Sequence, residues 1–379
     1  MVCILREFTP MYCRITLSIA VLTLAPAVLG QTPAKPEPDT LLLTTGEKLI
    51  GKFVRSIGAT VTFHSESLGD VKVDWSKIQE LHSSQKFAVV KKGVELNRHS
   101  DLKTVPAGTV DMTAQTLAVG GQKIPVADAA DVVDQTGFEN AVLHNPGFFQ
   151  AWRGSVTAGL ALVQATQQSR SFSGGISLIR AVPTEDWLAA RNRTILDISG
   201  SDGSVSQPGT PTVKTQIFHG DAERDQYLPR SNAYFFGQAA FDHNYSQALD
   251  LQQLYGGGFG WTVIKQANET LDLKGSMSFE RQSFQIASSD HNLIGSVFSE
   301  SFTRKLGKGV TFLEGVSFTP AWNEMHAYSW NANAALNVPV LKRLGFTAAI
   351  LDTFLNDPPP TFNKNSFQLT MGLTYSLNK

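Results

Sequence analysis

Cysteine is almost absent from this chain. The 379 residues include 2 cysteines, Cys3 and Cys13, and both lie close to the N-terminus. The rest of the chain therefore cannot form a disulfide, a thiolate metal site or a cysteine nucleophile. A thiol-free exported chain is consistent with a protein of the bacterial envelope.

Long apolar runs are also missing. The apolar run Ile15–Leu29 follows the basic residue Arg14 and is interrupted by Pro26. A transmembrane helix requires about 18 or more apolar residues, so a short membrane anchor is the weaker interpretation of this run. This pattern predicts a signal peptide over residues 1–30, because a basic segment precedes the apolar run and small residues precede Gln31. Its removal would also remove both cysteines.

An excess of charge of one sign is lacking as well. The formal net charge is −1, the mean hydropathy is −0.08, and no block of like charge is present. A nucleic-acid-binding protein carries a basic patch, so we expect no nucleic-acid partner. The mean hydropathy is typical of a soluble protein, but it also suits strands of which only one face meets lipid.

Residue spacings typical of catalysis or cofactor binding are missing too. The histidines of the second half have no serine partner on the same face of a predicted strand, as a nucleophile and its base would require. The chain has no His-x-x-x-His pair, no P-loop and no G-x-G-x-x-G site. Gly256–Gly260 lies within a predicted strand, where a barrel bend explains it. We therefore expect no enzyme and no bound cofactor or metal.

Alternation of apolar and polar residues dominates the second half. The last segment shows it clearly, with Phe367, Leu369, Met371, Leu373, Tyr375 and Leu377 separated by small polar residues. Side chains two positions apart share one face of a strand. About twelve such segments follow one another, an even number within the range of outer-membrane barrels. We therefore predict an all-β protein whose residues 151–379 form an antiparallel transmembrane β-barrel.

Charged side chains in these segments keep to one face, which in a barrel is the inner one. The predicted lumen-facing residues are Arg191, Arg193, Asp272, Lys274 and Glu280. There, mixed charge would tune what passes through the barrel or fill its interior. Asp197 shares the face of the two arginines in a segment predicted to begin at Trp187, whereas the segment near Val213 is ambiguous in its facing. Polar gaps are predicted as loops at Gly200–Pro211, Asp221–Arg230 and Asn356–Lys364.

The region before the barrel has a different organisation. A Pro-rich linker at 31–38 precedes short β-like runs over 39–135, which we interpret as one or two SH3-like or Sm-like β-units; 136–150 is predicted to be a second linker. Trp75 would either present a platform for a ligand or peptidoglycan, or fill a small core while Asp74 caps the next turn. We favour the core, since small β-units depend on large aromatic residues.

Three stretches of the second half match a known pattern. They are Trp152–Val156 as W-x-G-x-V; Phe236-Gly237-Gln238 with Phe241 and Gly256–Gly260; and Asn356–Pro360 followed by Thr370, Gly372-Leu373 and Tyr375. The chain from Trp152 onward resembles the domain of unknown function 481 family, also called salt-induced outer membrane proteins. The resemblance implies an outer-membrane barrel and no established enzymatic role.

Export signal and barrel pattern together predict a protein of the outer membrane with its N-terminal domain in the periplasm. The expected partners are outer-membrane lipid, the insertion machinery for outer-membrane barrels and, if the lumen is open, small solutes. A barrel of about twelve strands can also be largely filled by side chains, so small-solute passage and a structural or stress role in the envelope both stay open. The alternative is a soluble periplasmic or secreted β-rich binding protein.

Overall fold

The computed structural model describes residues 37–377 except 95, 97–99, 165–167, 186, 208, 210, 230 and 267. The predicted signal peptide, most of the predicted Pro-rich linker and both cysteines lie outside these residues. The described chain is predominantly β, with a nine-stranded sheet in the N-terminal region and a closed barrel after it. The predicted fold class is confirmed.

Short strands of alternating apolar and polar residues build the N-terminal sheet. They are β1 Asp39–Leu43, β2 Lys48–Ile57, β3 Thr60–Ser65, β4 Gly69–Asp74, β5 Ile78–Lys91, β6 Ala107–Thr113, β7 Thr116–Val119, β8 Gln122–Pro125 and β9 Ala129–Asp134. The order is β4-β3-β2-β1-β5-β6-β7-β8, and β9 pairs with both β2 and β5. The long strand β5 pairs with β1 near its start and with β6 and β9 further on, so it belongs to both halves of the sheet.

Trp75 lies in the core of this sheet domain. Its side chain is 3% exposed, its indole N–H donates to the Ser56 hydroxyl over 2.8 Å, and its ring meets Phe53 edge-on. Asp74 accepts hydrogen bonds from the hydroxyl and the backbone N–H of Ser76, which hold the pKa of Asp74 below its usual value. The structure thus shows the core role of Trp75 and the capping role of Asp74.

A short helix, α1 Gln135–Leu143, follows the sheet where the sequence predicted only a linker. The Asp134 carboxylate caps it by accepting a backbone N–H of the first turn over 2.8 Å. Phe138 and Val142, one helical turn apart, are buried, and the Phe138 ring stacks on Trp187 with 5.9 Å between centroids. Among the described residues, no helix combines the length and the apolar character needed to cross a bilayer.

Twelve strands form the barrel. They are β10 Trp152–Gln164, β11 Gln168–Val182, β12 Asn192–Ser206, β13 Val213–Tyr227, β14 Ala233–Asn244, β15 Leu249–Lys265, β16 Glu269–Phe284, β17 His291–Gly307, β18 Val310–Thr319, β19 Ser329–Pro339, β20 Leu344–Leu355 and β21 Asn365–Ser376. Each strand pairs with the next along the chain, and β21 returns to β10, which leaves no open sheet edge. The antiparallel barrel and its strand number agree with the prediction.

Strands β12 and β13 run further than predicted. The sequence predicts loops at Gly200–Pro211 and Asp221–Arg230, but β12 ends only at Ser206 and β13 continues to Tyr227. The charged residues Asp221–Asp225 are therefore strand residues, paired with both β12 and β14. Their polarity resembles that of a loop because alternate side chains face the interior of the barrel instead of lipid.

The outward face of the barrel carries a belt of exposed apolar side chains. The belt includes Leu160, Phe172, Ile198, Phe218, Phe235, Phe259, Met277, Ile294, Phe298, Leu369 and Met371. Trp261, Trp322 and Tyr375 are exposed closer to the strand ends, as in the aromatic girdles at membrane interfaces. Soluble monomers rarely expose such a large apolar surface, whereas a barrel that spans a membrane exposes one to lipid.

The barrel closes where β10 meets β21. Four residue pairs join these strands, Ser155–Ala158 opposite Leu373–Ser376, whereas 13 pairs join β10 to β11. On the inner face, the hydroxyl oxygens of Thr157 and Thr374 lie 2.9 Å apart, and Thr374 also hydrogen bonds to Thr347 of β20. These threonines add side-chain hydrogen bonds to a seam that has few backbone pairs.

Two glycines allow the seam strands to approach each other. A Cβ at Gly159 would lie 2.5 Å from the carbonyl oxygen of Met371, and a Cβ at Gly372 would lie 2.5 Å from the carbonyl oxygen of Ala158. Neither contact is sterically allowed. A larger residue at either position must therefore push β10 and β21 apart.

We predict that Gly372→Val weakens the closure of the barrel, because the new side chain collides with the Ala158 carbonyl. Overpacking of this kind costs about 1–3 kcal/mol. The measurement is the temperature at which the folded, fast-migrating form disappears from gels of unboiled protein. Gly237→Val is the matched control, since a Cβ at Gly237 meets no atom within 4 Å. Equal losses in both variants would contradict the role of the seam glycines.

Candidate functional site

The candidate site is the interior of the barrel, where one wall carries most of the charge. Inward-facing residues alternate along β13 and β16, and they include Asp221, Glu223 and Asp225 on the first strand and Asp272 and Lys274 on the second. Asp225 has no exposed surface, and Glu223 and Asp272 are almost completely buried. Buried ionised groups require partners, so the geometry of their ion pairs defines this wall.

Arg193 of β12 is the centre of the first ion cluster. Its guanidinium donates to Asp225 over 2.6 Å, to Asp272 over 2.8 Å and to the Tyr234 hydroxyl over 3.3 Å. The Thr262 hydroxyl donates to the second oxygen of Asp272 over 2.5 Å. One cation thus bridges β12, β13, β14 and β16 across the interior near one rim of the barrel.

Lys274 forms a second ion pair one step further into the barrel. Its ammonium group lies 2.6 Å from Glu223 and 5.7 Å from the centroid of the Phe236 ring. Phe236 is the next inward residue after Tyr234 on β14. The two cations and the two rings together fill this side of the interior.

A glycine makes room for the Tyr234 ring. A Cβ at Gly260 of β15 would lie 2.3 Å from that ring, so only a glycine permits the ring to lie flat against the wall. The Tyr227 ring lies 5.0 Å from the Tyr234 ring between centroids, tilted by 49°, and the Arg193 guanidinium carbon lies 5.3 Å from the Tyr234 centroid. Gly260 is therefore explained by the close packing of the Tyr234 ring, in addition to the bend predicted for Gly256–Gly260.

Other inward carboxylates have no such cation. Asp197 of β12 is the direct cross-strand neighbour of Asp221 of β13, and neither forms an ion pair with any described residue. Glu280, on β16, accepts a hydrogen bond from the Gln282 amide over 2.6 Å. Two carboxylates side by side repel each other unless a cation or a proton lies between them. This level of the wall therefore attracts positive charge.

The opposite wall of the interior is lined by small neutral side chains. On β18 to β21 they include Ser317, Asn331, Asn333, Asn337, Thr347, Thr353, Gln368, Thr370 and Thr374, with alanine and leucine between them. Asn337 accepts a hydrogen bond from Thr347 over 2.5 Å, which extends the hydroxyl bridge of the seam. These side chains are smaller than the arginine, lysine and tyrosine side chains of the charged wall.

The structure separates the predicted lumen residues into two groups. Arg193, Asp272 and Lys274 lie together on the charged wall, and Glu280 lies on the inner face of the same strand β16 nearer the other rim. Arg191 is different, because β12 begins only at Asn192. Its guanidinium lies at the rim and donates to the carbonyl of His144 over 3.3 Å, so the prediction that grouped it with Arg193 on a strand is corrected.

Sequence reasoning missed Asp225, Glu223 and Tyr234. The acidic residues stood in a stretch assigned to a loop, although their spacing of two is itself a strand signal. Tyr234 alternates with apolar residues in its segment, but no sequence pattern pairs it with an arginine two strands away around the barrel. Among the described residues, no group of three or more His, Cys, Asp or Glu side chains is arranged to hold a metal ion.

Fold and interior together define a β-barrel of the outer-membrane type, with an apolar outer belt and a polar core. The family model described as "Protein of unknown function, DUF481" matches residues 156–377. This match covers more than half of the chain, so the chain belongs to that family, as its motifs indicated. No curated protein sequence matches the chain.

Several solved barrels are similar in structure. An outer membrane channel from Pseudomonas putida F1 is 14% identical, with a TM-score of 0.37, and the match covers 62% of this chain and 100% of that one. The NanC porin is 8% identical, with a TM-score of 0.35 and coverage of 59% and 100%. The translocator domain of the autotransporter NalP from Neisseria meningitidis is 8% identical, with a TM-score of 0.32 and coverage of 63% and 92%. All three similarities are distant.

We predict that Arg193→Met destabilises the barrel strongly, because Asp225 and Asp272 are left buried without their cation. Removing one partner of a buried ion pair costs about 3–5 kcal/mol. The measurement is the free energy of unfolding in urea, followed by tryptophan fluorescence of the protein in lipid vesicles. Adding Asp225→Asn and Asp272→Asn should restore part of the loss. Lys265→Met, which removes an exposed cation, is the control, and equal stability of the two single variants would contradict the prediction.

Proposed function

We propose that the protein is an outer-membrane channel through which small hydrophilic solutes diffuse, with cations favoured over anions. The observation that carries the proposal is the imbalance of charge on the inner face. Asp197 and Asp221 stand side by side there, and no described cation pairs with them. Acidic residues that line a pore favour the passage of cations.

The cations nearest to these carboxylates, His219 and Lys274, attract them but form their own salt bridges with other acidic residues. Arg193 is shared between two aspartates, and Lys274 is already paired with Glu223. His219, when protonated, is paired with Asp242 at 2.6 Å. At physiological ionic strength the screening length is about 8 Å, so the excess of acidic over basic groups on this wall acts on ions that pass within that distance.

The neutral wall lines the rest of the interior, and at one rim the segment Tyr245–Gln247 reaches across to it, where Gln247 donates to the carbonyls of Thr353 and Lys364 over 3.3 and 2.8 Å. Barrels of about 8 strands are filled by side chains and those of 16–18 strands hold an aqueous channel, so this barrel is of intermediate width. Serine, threonine and asparagine side chains from Ser317 to Thr374 offer hydrogen bonds to solutes that have lost part of their hydration shell. Conductance is therefore expected to be small, and the solutes that pass are small as well.

The proposed orientation rests on the rim at which the first and last strands of the barrel meet. The start of β10 and the end of β21 lie at the same rim, and the connections at that rim include the short segments 228–232, 266–268 and 308–309. Short connections are typical of the periplasmic side of outer-membrane barrels, which supports a periplasmic position for the N-terminal domain. The proposal includes export by the signal peptide and assembly by the insertion machinery, and it assigns no reaction to the protein.

The test is the reversal potential across a planar bilayer that contains the full chain, with a gradient of potassium chloride. The wild-type protein is expected to prefer potassium over chloride. Asp197→Asn together with Asp221→Asn should reduce this preference while conductance persists, because both side chains keep their size and lose only their charge. The ratio of cation to anion permeability is the quantity compared.

Glu47→Gln, an exposed position in a turn of the N-terminal domain, is the matched control and should leave selectivity unchanged. Absence of any conductance in the folded protein would contradict the channel. A channel that prefers anions, or one whose selectivity is the same in the double variant, would contradict the role of the aspartate pair.

A further inference from the structure

The connector between helix α1 and the barrel, residues 144–151, runs over the outer surface of the barrel wall. Its carbonyl groups at Pro146, Gly147 and Gln150 accept hydrogen bonds from Arg180 over 2.7, 3.2 and 3.0 Å. Arg180 belongs to the outward face of β11, since it is the cross-strand neighbour of Trp152 on β10. Only 6% of Arg180 is exposed, so the connector covers a cation that would otherwise face lipid.

Aromatic side chains form the outer layer of this connector. The Trp152 indole N–H donates to the carbonyl of Phe148 over 2.7 Å, and the two rings meet edge-on at 5.9 Å between centroids. Phe149 meets Phe148 edge-on at 5.2 Å. The Phe149 side chain is 90% exposed, and Phe148 is also exposed. Neither ring is covered by the N-terminal domain.

The two phenylalanine rings lie next to the apolar belt on the outward face of the barrel. Trp152 shares the outward face of β10 with Val156 and Leu160, and both are exposed apolar residues of the belt that meets lipid. The two phenylalanines therefore extend the belt beyond the end of the strand, at the rim where aromatic residues mark the boundary between acyl chains and headgroups. Two adjacent phenylalanine rings exposed to water would be unfavourable.

We propose that Phe148 and Phe149 insert among the phospholipid acyl chains of the periplasmic leaflet, so that the connector is an interfacial anchor. The proposal rests on the membrane location given above, but not on conduction through the lumen. The three backbone carbonyls solvate the guanidinium of Arg180, which lowers the cost of a charge beside the region that the rings enter. Because α1 directly precedes the connector and stacks on Trp187, the anchor fixes the N-terminal domain beside the membrane surface.

The test is a nitroxide spin label at position 149 of the full chain. Cys3 and Cys13 are replaced by serine, which leaves Phe149→Cys as the single thiol. In phospholipid nanodiscs, relaxation of the label by oxygen, which partitions into lipid, is compared with relaxation by a water-soluble nickel chelate. Met277→Cys, on the exposed outer belt of β16, is the lipid reference, and Leu68→Cys, an exposed apolar residue of the N-terminal domain, is the water reference.

The label at 149 is expected to respond as the one at 277 does, with oxygen the stronger relaxing agent, and a label at 148 should do the same. A response like that of position 68, or protection from both agents, would overturn the anchor. Water exposure of the label at 277 as well would mean that the membrane location had failed, which is a different outcome. Heat-dependent gel mobility confirms that each labelled protein is folded.

Discussion

The constraint on which the structure depends is that backbone groups facing lipid have no water to bind. Each N–H and C=O within the membrane must find a partner in a neighbouring strand, and a sheet satisfies all of them only when it closes. Here the closure relies on the short pairing of β10 with β21, supported by Thr157, Thr374 and Thr347 on the inner face. The same constraint explains Gly159 and Gly372. A Cβ at either position would collide with a backbone carbonyl of the other seam strand and would prevent the two strands from pairing.

Closure creates an interior that is divided into two unlike walls. Bulky and charged residues gather on β12 to β16, where Arg193 and Lys274 hold three buried carboxylates in place. Small neutral residues line β18 to β21. The buried ion pairs of Arg193 and Lys274 therefore lie on one part of the circumference. In the proposed channel, selectivity depends on Asp197 and Asp221, which take no part in these ion pairs.

Alternation along the chain was sufficient to predict the barrel and its strand number, because lipid imposes a period of two on every strand. The prediction was wrong where the polarity of a segment was used instead of its period. Asp221–Asp225 was predicted to be a solvent-exposed loop because it is charged, although every second residue of this strand faces the lumen. Contacts between distant strands, such as Arg193 with Asp272, depend on the curvature of the closed sheet, which no local pattern records. Helix α1 was missed because its apolar side consists of little more than Phe138 and Val142.

The most direct test of this account is a pair of cysteines across the seam, Thr157→Cys with Thr374→Cys, in a chain without Cys3 and Cys13. These residues are direct cross-strand neighbours, and the Cα separation of such pairs, about 4.5–5.5 Å, suits a disulfide. In isolated outer membranes, mild oxidation should link them within one chain and make both thiols unreactive towards maleimide. Thr157→Cys with Thr370→Cys, displaced along β21 by about 13 Å, should stay reactive. Two free thiols in the seam pair after oxidation, or a protein absent from the outer membrane, would contradict a barrel closed by β10 and β21.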